Sequence, residues 1–113
     1  MIKIITTVEL YESKREAFLT NFTAVANQTR DEEGCIEYTL MVNFPTNLDL
    51  QRHVDSDTLV IIEKWDSLED FERHLVSPHM LDYRMNVSTM VKNLSLQILE
   101  PVFEPNTIDD DFT

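Results

Sequence analysis

The chain has 113 residues, 21 acidic against 9 basic side chains for a net charge of −12, and a single glycine, Gly34. One glycine cannot supply a three-glycine dinucleotide fingerprint or a two-glycine phosphate loop, so nucleotide enzymes of those kinds are excluded by counting. The acidic excess repels phosphate backbones and anionic bilayers, so neither nucleic acid nor a membrane is expected as a partner, and the length suits one domain around one core.

The opening M-I-K-I-I-T-T-V-E-L is too short and too alternating for a signal-peptide core, and the lone Cys35 cannot form an internal disulfide; a cytoplasmic protein is expected. β-Branched residues crowd Ile2 to Leu10 and predict a first strand near the middle of a sheet. Ser13-Lys14-Arg15-Glu16 has the spacing of a capping box, and Phe18, Phe22, Val25 and Ala26 then mark one stripe of a helix running to about Asp31. Gly34 suits the exit of that helix. Cys35 to Val42 alternates as a second strand, with Ile36, Tyr38, Leu40 and Val42 on one face. Asn43 to Asp57 reads as a long loop, of the kind that often forms a lid or an interface arm. Thr58 to Trp65 is a third strand, with Glu63 and Trp65 on one face and Lys64 on the other.

Two overlapping N-caps at Asp66 and Ser67 open a short helix whose expected buried stripe is Leu68, Phe71 and Leu75. Ser77-Pro78 starts a third helix, expected to reach about Lys92, and Leu94 to Leu99 forms the last strand. The domain is expected to span 1–103, with 104–113 a flexible acidic tail holding 4 of the 21 acidic residues; the folded part then carries 17 against 9, or −8. The order is β-α-β-β-α-β with one extra helix, an α+β ferredoxin-like arrangement with a four-stranded antiparallel sheet. The first and third strands are apolar on both faces, so the sheet face without helices is also expected to be covered. A second copy of the chain, packed sheet on sheet, is the expected cover.

The residues that could carry chemistry lie in Glu63-Lys64-Trp65, His74 and Ser77-Pro78-His79-Met80. His74 falls in the last turn of one helix and His79 in the first turn of the next, so the helix dipoles are expected to shift the two imidazoles in opposite directions, raising His74. Acid and base roles often fall to groups biased apart in this way. A metal site is not expected, because five residues and a proline separate the histidines and deny them the i, i+4 spacing of two ligands on one helix face. Cys35 reads as a small buried strand residue rather than a nucleophile. Tyr38, Met41, Trp65, Phe71, Met80, Tyr83 and Met85 could line an aromatic-tolerant pocket, although core packing explains most of them.

Three segments, E-E-G-C-I-E-Y-T-L-M-V (32–42), D-S-D-T-L-V-I-I-E-K-W-D-S-L-E-D-F-E-R-H-L-V-S-P-H-M-L-D-Y (55–83) and N-L-S-L-Q-I-L-E-P (93–101), resemble the antibiotic biosynthesis monooxygenase family. Within it the chain is most similar to the small bacterial quinol monooxygenases. The E-x-W, H and S/T-P-H-M series carries most of that resemblance. It implies a dimeric α+β barrel that oxidises quinols or related electron-rich phenols with O₂ and uses no metal, flavin or haem. It also implies His79 or His74 as the catalytic base and Trp65 and Phe71 as supports for the substrate ring. Tyr38, Glu63, Tyr83 and Arg84 complete the substrate-binding set, with Tyr83 or Arg84 polarising an oxygen. Haem-degrading relatives carry an asparagine on the first strand, which Ile4 to Val8 lacks. Relatives that process a phosphorylated autoinducer-2 signal share the Glu63, His74 and Pro78-His79 spacing, so an isomerase of a small oxygenated metabolite is the alternative reaction. A non-catalytic dimer that binds aromatic ligands is the third reading.

Overall fold

Four strands and three helices are laid out in the computed structural model, which describes residues 1–103; the expected acidic tail at 104–113 lies outside the described residues. In chain order they are β1 (Ile2–Leu10), α1 (Arg15–Arg30), β2 (Cys35–Met41), β3 (Thr58–Trp65), α2 (Leu68–Leu75), α3 (Pro78–Val87) and β4 (Val91–Leu99). The strands form one antiparallel sheet in the order β2-β3-β1-β4, as the ferredoxin-like reading requires. The β-branched density of β1 and β3 agrees with their central places, where both edges of each strand are paired.

Alternation gives the sheet one face toward the helices. Ile4, Thr6, Val8 and Leu10 of β1 and Leu59, Ile61, Glu63 and Trp65 of β3 are all buried on it. Phe18, Phe22 and Ala26 of α1 and Val87 of α3 pack there with Val8, Leu10, Tyr38, Leu59 and Ile61, while Ile4, Trp65 and Phe71 form a second, smaller cluster. The helices leave β4 uncovered, so Leu94, Leu96 and Ile98, which share the face of Val8, Thr6 and Ile4, remain about half exposed.

Several local expectations are corrected. Ser13 is not a cap: it sits at φ 72, Lys14 is the N-cap residue, and no side chain bonds the first amides of α1. Helix α1 is held by packing of its apolar stripe instead. Its C-cap is Asp31, so Gly34 does not end the helix but closes the turn after it, at φ 84. A bulge between Cys35 and Glu37 breaks the alternation of β2, so Cys35 and Tyr38 both face the core while Ile36 is half exposed. Leu68 is exposed, and the buried face of α2 is Phe71 and His74. Helix α3 stops at Val87 and β4 starts at Val91, because a tight turn carries the bond from Met90 N–H to Val87 O and the next strand's ladder with β1 begins at once.

Candidate active site

Between the sheet and the short helices lies a mostly apolar cavity of about 220 Å³, with β4 at its open side. Phe71, Leu75, Met80 and Leu96 give it hydrophobic walls, and Tyr38, Glu63, His74, Tyr83 and Arg84 bring polar groups to it. Of the residues singled out from the sequence, these elements therefore bring together Tyr38, Glu63, Phe71, His74, Tyr83 and Arg84. Trp65 and His79 do not reach the wall.

Glu63, His74 and Arg84 are each positioned by an identifiable contact. Trp65 is wholly buried behind Glu63, and its indole Nε1–H donates to Glu63 Oε1 at 3.0 Å, which fixes the carboxyl. Burial pushes Glu63 up to about 7; the Trp65 bond opposes this and the nearby Glu32 charge adds to it. The ring of His74 packs against Trp65, with centroids 4.9 Å apart, and edge-on to Tyr38 at 5.6 Å. His74 Nδ1 lies 2.7 Å from Glu32 Oε2, while its Nε2 is buried, has no hydrogen-bond partner among the described residues and stands 3.8 Å from Glu63 Oε1. Burial pushes the Tyr38 and Tyr83 hydroxyls above the ordinary phenol value, so both stay protonated and can donate hydrogen bonds. Arg84 is anchored by a bond from its guanidinium to Leu75 O at 2.7 Å.

The dipole argument for His74 fails. Burial holds its ring below the usual imidazole value, outweighing the Glu32 hydrogen bond and charge that pull the other way. The spacing argument that keeps the histidines apart fails too. Glu32, in the turn after α1, reaches across to both α2 and α3: His79 Nε2 lies 3.0 Å from the same Oε2 atom that binds His74. The ligand-type atoms of Glu32, His74 and His79 all lie within 4.8 Å of one another. Both contacts have the length of ordinary charge-assisted hydrogen bonds to a shared carboxylate oxygen, so a hydrogen-bonded triad accounts for them.

Glu32 is the site residue that sequence reasoning missed. It stood inside the E-E-G-C stretch, but a carboxylate 42 residues from His74 has no periodicity to mark it. Cys35 is half-buried and its thiol is pushed up to about 11, chiefly by burial, consistent with a packing residue.

Comparison with known proteins identifies the family and the fold. The family model described as "Antibiotic biosynthesis monooxygenase" matches residues 1–85. The chain is 34% identical over 87 residues to the Escherichia coli protein named "Probable quinol monooxygenase YgiN", covering 77% of this chain and 83% of that one. Among solved structures, that of Rv0793 from Mycobacterium tuberculosis matches at a TM-score of 0.74 and 26% identity, covering 92% of this chain and 97% of the other. A crystal structure titled as an antibiotic biosynthesis monooxygenase shares the fold at a TM-score of 0.77 and 18% identity, over 91% of this chain and all of that one.

Proposed function

The chain belongs to the antibiotic biosynthesis monooxygenase family, and from that premise we propose that it is a cofactor-independent monooxygenase oxidising quinols or related electron-rich phenols with O₂. The observation that carries the reading is the unpartnered Nε2 of His74, buried beside Glu63 on the wall of an apolar cavity. With Nδ1–H donated to Glu32, the neutral ring offers its lone pair at Nε2, which is the form that burial favours.

His74 Nε2 removes a phenolic proton. The resulting quinolate is electron-rich enough to pass one electron to O₂, and the radical pair recombines into a ring peroxide anion, which takes the proton back from His74 to become the hydroperoxide. Loss of water leaves one oxygen atom on the ring and places the other in water, with all four electrons coming from the substrate. Glu63, part protonated near neutrality, donates a hydrogen bond to the developing anion, and the Tyr38 and Tyr83 hydroxyls stand ready to do the same. Phe71 supplies an apolar face for the ring, and the charge of Arg84 offsets the anion. The protein acts as a homodimer and in the cytoplasm; no helix among the described residues is long and apolar enough to cross a membrane.

Oxygen uptake with reduced naphthoquinones and anthrones tests this reading. Wild-type protein should exceed the spontaneous rate, and His74→Gln should lower turnover by about 100-fold, the usual scale of a lost general base. Uptake no faster than the spontaneous rate would overturn it. Substrate conversion that continues without oxygen would favour the isomerase reading instead.

A further inference from the structure

The hydrogens around Glu32 can be placed by counting donors and acceptors. Ser77 Oγ–H donates to His74 O at 2.7 Å, so toward His79 Nε2, at 3.3 Å, the same oxygen can only accept. Glu32 Oε2, a carboxylate oxygen, faces that nitrogen at 3.0 Å and His74 Nδ1 at 2.7 Å. With an acceptor on each side, His79 Nε2 carries a hydrogen, and His74 Nδ1 carries one as well. Two N–H donors, one from α2 and one from α3, therefore converge on one oxygen of a side chain in the turn after α1. Glu32 is not part of the cavity wall, and its side chain is 18% exposed where that of His74 is 1% exposed.

We propose that Glu32 is a positioning residue for the proton transfer: it fixes His74 in the tautomer with a bare Nε2 and is the counter-ion of the imidazolium formed on the way to the ring peroxide, with His79 and Ser77 holding the carboxylate in place. The inference rests on the reading of His74 as the base. In that reaction the phenolic proton moves to Nε2 and returns from Nε2 to the peroxide anion, while the Nδ1 hydrogen stays on its ring throughout. Between the two transfers His74 is a buried cation, and a buried charge is costly unless it is paired and hydrogen-bonded. Glu63 fills that need poorly, because its Oε1 is 3.8 Å from Nε2 and burial keeps it part protonated near neutrality. Glu32 fills it at hydrogen-bond distance from the other nitrogen of the ring, away from the substrate. Of the other groups facing the ring, Arg84 and His79 on α3 oppose the cation, while Tyr38 on β2, Trp65 on β3, Phe71 on α2 and Tyr83 on α3 are uncharged.

Glu32→Gln separates the charge from the hydrogen bond, since the amide oxygen can still accept from His74 Nδ1–H. Turnover in the oxygen-uptake assay should fall about 100-fold with the KM for the quinol unchanged. The acid limb of the pH–rate profile should move to lower pH, because an imidazolium without its counter-ion loses its proton more readily. His79→Ala removes one donor to Glu32 and should lower turnover by about fivefold, the scale of one hydrogen bond. Unchanged turnover in Glu32→Gln, or a rise in KM that accounts for the whole loss, would overturn the proposal. So would a loss in His79→Ala as large as that in His74→Gln, or activity that is lost on chelation and regained on adding zinc, which would assign the three groups to a metal. A second measurement needs neither reaction nor variant. Nitrogen-15 spectra of the wild-type histidine rings should show His74 protonated at Nδ1 and bare at Nε2, and His79 protonated at Nε2; the opposite tautomer at either ring would overturn the assignment. In Glu32→Gln the His74 titration should move to lower pH, and an unmoved titration would overturn the counter-ion role. If wild-type protein consumes no oxygen with any reduced quinone, the proposed reaction fails while these spectra still decide what Glu32 does to His74.

Discussion

His74 shows how competing electrostatic effects are ranked at a single residue. A helix C-terminus stabilises an imidazolium by typically 0.3–1 kcal/mol, whereas burial can displace a pKa by several units at about 1.4 kcal/mol each. With 1% of its side chain exposed, His74 follows burial. Glu63 is governed by the same effect with opposite sign. Its folded value, about 7, is above that of the unfolded chain, so between the ordinary carboxyl value and 7 the folded state holds a proton that the unfolded state has lost. Stability due to this group is therefore full at low pH and falls as pH rises through that window. Glu63→Gln, which keeps an acceptor for the Trp65 indole, should be more stable than wild type near pH 8 by on the order of 2 kcal/mol, and the gap should close below the ordinary carboxyl value. Urea denaturation across the range checks this; a gap independent of pH would show that Glu63 does not titrate as described.

At the scale of elements, the 31–34 turn does more than link α1 to β2. It places Glu32 against two helices, and Gly34 makes that possible: at φ 84 its carbonyl accepts from Asp66 N–H at 2.9 Å, and a Cβ there would run into the Asp70 carboxylate. Asp70 cannot simply move aside, because it holds Ser67 Oγ and its own amide caps α2 through that hydroxyl. Gly34→Ala should therefore destabilise the fold by about 1–3 kcal/mol and also impair turnover, by shifting Glu32 away from His74. Thermal unfolding with oxygen uptake tests both halves; loss of stability alone would separate the turn from the site.

Among the described residues, no helix covers one face of the sheet. Ile5, Thr7, Val60 and Ile62 lie at its centre, half-buried within a single chain, with Lys3, Lys64 and Glu9 toward its ends. An apolar centre with charges at the rim is the surface on which the proposed second copy packs. Light scattering at micromolar concentration should give a dimer, and Ile62→Glu should shift it to a monomer. A wild-type monomer would contradict the dimer and leave the chemistry of the cavity untouched.

The sequence by itself determined the order of elements, the central places of β1 and β3, the buried stripe of α1 and the family, because hydrophobic periodicity, turn residues and motif spacing are local properties. Even there it erred where one local signal was weak against tertiary packing, as at Ser13, Leu68 and the end of α3. The site was half legible. Glu63 and His74 could be named from the E-x-W and H-to-PH series, and Tyr38, Phe71, Tyr83 and Arg84 from the family resemblance that the series carries. Only the tertiary structure decided that Trp65 serves Glu63 from behind, that a bulge turns both Cys35 and Tyr38 inward, and that Glu32 joins His74 to His79. The first depends on burial, the second on the pairing of β2 with β3, and the third on contacts across 42 and 47 positions, and none of these has a period that a sequence can display.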